Sequence, residues 1–335
     1  MRLPIRTVLM LCFFAALMSG CASQSEARSK RASASSLPVS EFQEIWGYLV
    51  AGREAALTSD LPITDIGYFG AEIDTYGKLT SVPNIRNLAN FRGRKHLVVG
   101  SGGRALTYFV LKEGSAERRE LIRDLIQAAA PYDGLQINFE NVPARSAEAY
   151  HSFLRELRQS LRGKILSVAI AARTAALQND AYDYAKVAPL VDKFLVMAYD
   201  EHWSGSAHGP IASMAWSERV ARYALSIAGA EKLVMGLPFY GRSWANVNMN
   251  RAHIHDGIET IIKDHGIESI RREFSIPTFK FDMPITVTVY YEDAQSLTTR
   301  LQMYRSMGVR SVGFWRLGQE TKDFWSFIGV EGGNP

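Results

Sequence analysis

Cysteine is almost absent from this chain of 335 residues, and both of its cysteines, Cys12 and Cys21, lie near the amino terminus. The rest of the sequence therefore has no disulfide, no thiolate nucleophile and no cysteine-ligated metal. An excess of charge is also lacking beyond residue 38, since residues 39–335 contain 33 basic and 33 acidic side chains. Binding to nucleic acid normally requires a basic excess, so we expect no nucleic-acid partner.

The amino terminus has the organisation of an export signal. Arg2 and Arg6 precede the apolar stretch Thr7–Met18, whose 12 residues are too few to span a membrane. The ending Leu-Met-Ser-Gly-Cys at Cys21 resembles a bacterial lipoprotein signal, which implies cleavage before Cys21 and attachment of lipid to its sulfur. An ordinary secretory signal with a chance cysteine is the alternative.

The lipoprotein interpretation divides the chain into three parts. Residues 1–20 are the signal peptide, residues 21–40 are a lipid-anchored tether rich in Ser and Ala, and residues 41–335 are the folded domain. Ala22 follows the cysteine, which by resemblance to lipoprotein sorting argues against retention in an inner membrane. We therefore expect an exported protein of the cell envelope, on the periplasmic face of the outer membrane if the cell has two membranes.

Short apolar runs alternate with amphipathic stretches from Trp46 onward, which is typical of an α/β fold with a parallel sheet covered by helices. Eight predicted strands favour a closed (β/α)8 TIM barrel, and a doubly wound open sheet is the alternative. The stretch between strands seven and eight is long enough to predict a small α+β insertion at about 244–292. The predicted strands are Ile45–Val50, Asp65–Gly70, His96–Gly100, Gly134–Phe139, Ile165–Ala171, Lys193–Tyr199, Leu233–Pro238 and Ser311–Trp315. The predicted helices are Ala116–Ala130, Ser146–Leu161, Trp216–Ile227 and Ala294–Met307.

The fourth predicted strand carries a row of polar residues on one face. Because side chains alternate along a strand, Gln136, Asn138 and Glu140 share a face opposite the apolar residues. The apolar face packs against helices, so the polar row points into the barrel, where each group needs a hydrogen-bond partner. Glu140 lies at the carboxyl end of the strand, where barrel enzymes place their catalytic groups. The row therefore predicts an active site.

These residues resemble a motif of glycoside hydrolase family 18. The run Asp133–Glu140 resembles the family's Asp-Gly-x-Asp-x-Asp-x-Glu motif. Met197–Asp200, Gly236–Arg242 and Gly313–Trp315 resemble its sixth, seventh and eighth strands. The runs Tyr199–Ser206 and Tyr291–Leu297 are similar to the branch of bacterial N-acetylglucosaminidases that degrade peptidoglycan and spore cortex.

The resemblance implies hydrolysis of β-linked N-acetylglucosamine-containing glycans, with cell-wall peptidoglycan as the expected substrate and chitin-like or glycoprotein sugars as the alternative. It implies substrate-assisted retaining catalysis, in which Glu140 is the general acid/base and the sugar's own 2-acetamido group attacks the anomeric carbon. The implied catalytic residues are Glu140, Asn138, Tyr199 and Asp200. The implied substrate-binding residues are Asp133, Gln136, Tyr240, Arg242, Trp315, Trp203 and Glu292.

Asn138 departs from the family pattern, which has aspartate at this position. A neutral amide in place of a charged acceptor costs about 1 to 2 kcal/mol, or a tenfold to thirtyfold loss of rate. A catalytically weak or silent glycan-binding lipoprotein is therefore the alternative function.

Neither a cofactor nor a metal is expected. The run Gly100–Ala105 fits the dinucleotide pattern Gly-x-Gly-x-x-Ala, but one short match is common by chance, and the resemblance implies a close-packed barrel turn there. His253 and His255 are separated by one residue, as two metal ligands on an extended segment would be, but no further cluster of metal-ligating residues accompanies them. The expected partners are the glycan substrate and, through Cys21, a membrane, and we expect a monomer.

Overall fold

Eight parallel strands close into a barrel at the centre of the computed structural model, which describes residues 37–101, 103–247, 253, 255–274 and 276–333. The strands are Glu44–Val50 (β1), Asp65–Ile73 (β2), Arg94–Ser101 (β3), Gly134–Asn138 (β4), Ile165–Ala171 (β5), Lys193–Met197 (β6), Leu233–Pro238 (β7) and Ser311–Trp315 (β8). Each strand pairs with the next along the chain, and β8 pairs with β1. The TIM barrel is confirmed, and the open-sheet alternative is wrong because the two edge strands are hydrogen-bonded to each other.

Two predicted strands are longer than the observed ones. The fourth ends at Asn138 instead of Phe139, and the sixth ends at Met197 instead of Tyr199. The backbone leaves the strand conformation soon afterwards, with Asn141 at φ 63° and Asp200 at φ 60°. The residues that follow each strand therefore lie in loops at the mouth of the barrel.

Alternating side chains of the barrel strands build two hydrophobic layers. In β5, Leu166, Val168 and Ile170 point outward into the core beneath the helices, whereas Ala169 points into the barrel. Because both faces are buried, these strands appear in the sequence as nearly continuous apolar runs.

Helices cover most of the outer surface of the barrel. They are Arg104–Leu111 (α1), Ala116–Ala129 (α2), Ala147–Ser160 (α3), Tyr184–Val187 (α4), Met214–Ala228 (α5), His255–Asp264 (α6) and Ala294–Ser306 (α7). Side-chain caps begin four of them: Ser115 at α2, Asp183 at α4, Ser213 at α5, and Asp293, which forms a capping box with Ser296, at α7. Short 3-10 turns are Glu54–Ala56, Ile85–Leu88, Ala144–Ser146, Ala188–Leu190 and Phe324–Phe327.

The described part of the predicted insertion between β7 and β8 contains helix α6 and four short strands. Arg242–Ala245 pairs antiparallel with Val287–Tyr290, and Arg271–Glu273 pairs with Ile276–Thr278. Outside the insertion, Ser40–Phe42 pairs with Ile328–Val330, and Leu79–Thr80 pairs with β2. The predicted signal peptide and Cys21 lie outside the described residues, and no helix within them is long and apolar enough to cross a membrane.

A cluster of charged residues fills the amino end of the barrel. Arg94 donates from Nε to Asp65 Oδ1 at 2.7 Å and from Nη2 to Glu44 Oε1 at 2.6 Å. His96 Nε2 lies 2.8 Å from Asp65 Oδ1, and Lys193 Nζ lies 2.8 Å from Glu44 Oε2. Burial raises the pKa of Asp65, but hydrogen bonds from His96 and Arg94 outweigh it and hold that pKa below its usual value. The folded protein therefore keeps Asp65 ionised.

Replacing Asp65 by asparagine is expected to lower the free energy of unfolding by about 2 kcal/mol at neutral pH, because a neutral amide no longer balances the charge of Arg94 and binds His96 more weakly. A lowered folded-state pKa contributes stability above the ordinary carboxyl pKa of about 4, and this contribution is lost as pH falls through the folded-state value. Denaturant unfolding at about pH 7 and pH 3 should show the difference between wild type and Asp65→Asn shrinking at the lower pH. A difference that stays constant would contradict this account.

Candidate active site

A cavity of about 860 Å³ opens at the carboxyl end of the barrel strands. The described residues that line it are Tyr48, Phe69, Asn138, Glu140, Ala169, Ala171, Ala172, Arg173, Leu195, Met197, Tyr199, Asp200, Trp216, Tyr240, Gly241, Arg242, Trp315 and Gln319. Seven of these were predicted as site residues from the sequence: Asn138, Glu140, Tyr199, Asp200, Tyr240, Arg242 and Trp315. They come from the ends of β4, β6, β7 and β8, so the closed barrel is what brings them together.

Asn138 and Glu140 form a hydrogen-bonded pair at the end of β4. Asn138 is the last residue of the strand, and its side chain is 8% exposed. Its Nδ2 donates to Glu140 Oε1 at 3.2 Å, while its Oδ1 is buried and has no hydrogen-bond partner among the described residues. Glu140 is exposed and borders the cavity. The site thus holds an accessible acid next to an amide with an unused acceptor atom.

Asp200 is held in place by two residues that follow β7. Tyr240 Oη donates to Asp200 Oδ1 at 2.5 Å, and Arg242 donates to the same oxygen from Nε at 3.1 Å and from Nη2 at 2.8 Å. The hydrogen bond to Asp200 raises the pKa of Arg242, and burial together with that carboxylate raises the pKa of Tyr240. Tyr240 therefore stays protonated, and Arg242 balances the charge of Asp200.

Tyr199 packs edge-on against Tyr240, with ring centroids 6.2 Å apart. Burial raises the pKa of Tyr199 well above its usual value, because the phenolate would be poorly solvated there. Gly236 makes room for this ring, since a Cβ at that position would lie 3.2 Å from Tyr199 Cε1 and 2.7 Å from Val196 O. The hydroxyl of Tyr199 is thus a neutral hydrogen-bond donor beside the cavity.

Trp315 on β8 and two aromatic residues of the adjacent strands β1 and β2 form an apolar floor. The Trp315 ring lies 4.9 Å from that of Phe69 in an edge-on arrangement and 5.9 Å from that of Tyr48. The faces of such rings bind the apolar faces of sugars well. Trp315 is partly exposed and lines the cavity, so its ring is accessible to a ligand.

Two predicted binding residues, Gln136 on β4 and Asp133 just before it, do not lie at the cavity. Asp133 precedes the strand, so it lies at the opposite end of the barrel, where its Oδ2 accepts from Lys95 N at 2.8 Å. Gln136 lies one layer below the cavity, where it accepts from Tyr48 Oη at 2.8 Å and donates to Ser167 Oγ at 3.1 Å. Neither residue lines the cavity.

Two further predicted binding residues lie in the surrounding loops. Trp203 is 54% exposed in the loop after β6, and its carbonyl accepts from Trp244 Nε1 at 3.4 Å. Glu292 is buried and accepts from Arg300 Nη2 at 2.9 Å and from Ser296 Oγ at 2.5 Å. Glu292 therefore fixes the end of the insertion to α7 and does not face the cavity.

Several residues that line the cavity were not predicted from the sequence. Phe69 and Arg173 lie near the carboxyl ends of β2 and β5. The same position marked Glu140 as a candidate catalytic residue, but Phe69 and Arg173 belong to no recognised motif. Arg173 is fixed by Asp180, with Nε to Oδ2 at 2.7 Å and Nη2 to Oδ1 at 3.2 Å. Trp216 and Gln319 lie on α5 and after β8, and nothing local in the sequence marks them.

The arrangement suits acid/base chemistry on a neutral, partly apolar ligand such as a sugar. Glu140 can exchange a proton, Tyr199 can donate a hydrogen bond, and Trp315 can support an apolar face. Within the described residues, no group of three or more His, Cys, Asp or Glu side chains is placed to hold a metal ion.

Comparison with known proteins gives matches in both sequence and structure. The family model described as Glycosyl hydrolases family 18 matches residues 53–320. The glycosylase YdhD of Bacillus subtilis (strain 168) is 28% identical over 209 residues, covering 58% of this chain and 49% of YdhD. The cortical fragment-lytic enzyme of the same organism is 24% identical over 300 residues, covering 82% of this chain and 69% of that enzyme.

A solved structure shows the same fold. The spore cortex-lytic enzyme SleL of Bacillus cereus superposes with a TM-score of 0.68 at 22% identity, covering 87% of this chain and 76% of the SleL chain. At this level of identity the likeness concerns the fold alone. This chain also spans only about half the length of YdhD.

Proposed function

The chain belongs to glycosyl hydrolases family 18, and we propose that it hydrolyses β-linked N-acetylglucosamine-containing glycans, with cell-wall peptidoglycan as the substrate. The observation that carries the proposal is the 3.2 Å hydrogen bond from Asn138 to Glu140, in a cavity that also contains Tyr199 and Trp315. The names of two relatives, a glycosylase and a cortical fragment-lytic enzyme, support a wall glycan as the substrate.

Glu140 is the proposed general acid/base. Its carboxyl group borders the cavity, where it can protonate the glycosidic oxygen as the bond to the anomeric carbon breaks. The 2-acetamido oxygen of the same sugar forms the new bond to that carbon, giving an oxazolinium-like intermediate. Glu140, now ionised, then takes a proton from the water that opens the intermediate. Two displacements at one carbon retain its configuration.

The environment of Asp200 supports substrate assistance over an enzyme nucleophile. Asp200 is the other carboxylate among the described residues that line the cavity, and its Oδ1 accepts hydrogen bonds from Tyr240 and Arg242. A carboxylate whose charge is paired with an arginine is a weakened nucleophile. We therefore assign Asp200 to orientation and charge balance beside the intermediate, with Tyr199 donating to the acetamide oxygen.

Asn138 can orient the acetamide despite being neutral. Its amide nitrogen already donates to Glu140, which leaves Oδ1 as the atom able to accept the acetamido N–H. An amide oxygen attracts that N–H less strongly than a carboxylate and adds no negative charge to stabilise the cationic intermediate. Catalysis is therefore expected to be slower than with an aspartate, but not absent.

Replacing Asn138 by aspartate is expected to raise turnover about tenfold to thirtyfold, because a charged acceptor would stabilise the intermediate. A second carboxylate beside Glu140 also opposes loss of the Glu140 proton, so activity should persist to higher pH. The pH dependence of kcat for wild type and Asn138→Asp tests both effects. If Asn138→Asp is neither faster nor active to higher pH, Asn138 is already optimal and the handicap assigned to it is wrong.

The proposal as a whole is tested by product analysis. The purified protein is incubated separately with peptidoglycan and with chitooligosaccharides, and the products are identified by mass spectrometry. We expect N-acetylglucosamine reducing ends from peptidoglycan. Cleavage of chitooligosaccharides alone would replace the substrate assignment, and binding to both without any cleavage would favour a glycan-binding protein. The anchor predicted at Cys21 would confine the activity to the cell's own wall, which is a further part of the proposal.

A further inference from the structure

Two tyrosines close to each other in sequence, Tyr182 and Tyr184, form hydrogen bonds with the backbone at the ends of two neighbouring barrel strands. Tyr182 Oη donates to Phe139 O at 2.7 Å and accepts from Val142 N at 2.7 Å. A single hydroxyl group thus bridges the backbone on both sides of Glu140 and Asn141.

The backbone of the bridged segment lies beyond the hydrogen bonds of the sheet, although both ends of the segment are buried in the core. The last paired residue of β4 is Asn138 on its β3 side and Ile137 on its β5 side, so Glu140 lies beyond the sheet. Asn141 has φ 63°, a left-handed conformation that asparagine adopts more readily than most other residues with a side chain and that turns the backbone sharply after Glu140. The hydroxyl of Tyr182 supplies the hydrogen bonds that the strands no longer supply.

Tyr182 is itself well fixed. It is 8% exposed, its ring packs edge-on against Tyr150 at 6.0 Å, and its N–H donates to Asp180 Oδ1 at 3.1 Å. Burial raises the pKa of Tyr182 to about 12, so its hydroxyl keeps its proton throughout the neutral range. Both the donated and the accepted hydrogen bond therefore persist under working conditions.

We propose that Tyr182 is a positioning residue that holds the carboxyl group of Glu140 at the scissile bond. This inference rests on the proposed function, because it acts through the general acid. Proton transfer depends on distances within about 3 Å, and a displacement of about 1 Å costs up to a hundredfold in rate. Without the hydroxyl, the turn over residues 139–142 loses two hydrogen bonds and Glu140 samples a wider range of positions.

Tyr184 provides a matched control. Its Oη donates to Ala171 O at 2.9 Å and accepts from Arg173 N at 2.9 Å, so it makes the same bridge after β5. Tyr182→Phe and Tyr184→Phe each remove one buried hydroxyl and two hydrogen bonds to the backbone. Only the first of these bridges encloses Glu140.

The experiment compares kcat/KM of both variants on two substrates. One is an N-acetylglucosamine oligomer with a sugar as leaving group, and the other is an aryl glycoside of the same oligomer that releases a nitrophenol. A sugar alkoxide needs protonation to leave, whereas a nitrophenolate does not, so only the first substrate depends on the acid. For Tyr182→Phe we expect a loss of about tenfold or more on the sugar substrate and less than about threefold on the aryl glycoside. For Tyr184→Phe we expect equal, small losses on both substrates.

The ratio of kcat/KM on the two substrates distinguishes a positioning role from misfolding, because a partly unfolded sample lowers kcat/KM equally on both substrates. Thermal unfolding of the two variants should give similar midpoints. If Tyr182→Phe lowers kcat/KM equally on both substrates, or if its losses match those of Tyr184→Phe, Tyr182 is merely structural and the inference is overturned. If the wild-type protein cleaves neither substrate, the proposed function fails instead.

Discussion

Glu140→Gln should abolish hydrolysis almost completely while the protein still binds glycan. Glutamine keeps the shape of the side chain but has no proton to give to the leaving oxygen, and general acid catalysis contributes about 10² to 10⁴ in rate. The neighbouring Asn138 keeps its place, since its position at the end of β4 is set by pairing with β3. Initial rates on peptidoglycan, together with binding of chitooligosaccharides by calorimetry, measure the two properties separately.

A matched control for Glu140→Gln is Glu148→Gln, which makes the same chemical change on α3. The Glu148 side chain is 76% exposed and forms an ion pair with Lys186 at the surface. Surface substitutions of this kind change stability by less than about 0.5 kcal/mol, so its rate should match wild type. A Glu140→Gln protein that retained a tenth of wild-type activity would remove Glu140 from the role of acid.

Tyr199→Phe should lower kcat/KM about a hundredfold to a thousandfold, the cost of removing one hydrogen-bond donor from a developing charge. The ring and its edge-on contact with Tyr240 remain, so the variant isolates the hydroxyl group. Because burial raises the pKa of Tyr199 well above its usual value, the hydroxyl stays protonated and the fold loss should be constant across the neutral pH range. Steady-state kinetics between about pH 5 and 9 measure it.

Tyr76→Phe serves as the control for Tyr199→Phe, since Tyr76 is largely exposed and its side chain does not line the cavity. Its rate should equal that of wild type. If Tyr199→Phe raises KM alone and leaves kcat unchanged, Tyr199 binds the ground state and does not act on the intermediate.

The eight strands and the position of Glu140 could be predicted from the sequence, because both depend on local patterns. A strand buried on both faces is a short apolar run, and the polar row of β4 interrupts such a run on alternate residues. The carboxyl end of a strand is also a position that the sequence defines. These properties are independent of which strands become neighbours.

Two of the predicted site residues lie away from the cavity because of how the chain folds in three dimensions. Asp133 belongs to the same motif as Glu140, but seven residues of extended chain carry it to the other end of the barrel. Glu292 was predicted to bind substrate, and only packing against Arg300 on α7 shows that it anchors the insertion. The sequence contains nothing that distinguishes a carboxylate facing a cavity from one paired inside a core.

Asn138 and Tyr182 show most clearly which features the sequence determines and which depend on the tertiary structure. The sequence by itself determined that an amide stands two residues before the acid, on the same face of the strand. Only the tertiary structure decided that the amide nitrogen faces Glu140 while its oxygen is unused, and that the hydroxyl of Tyr182, 42 residues after Glu140, is hydrogen-bonded to the backbone before and after that acid. Alternation along a strand is set by local backbone geometry, whereas hydrogen bonds between distant segments exist only once the barrel has closed.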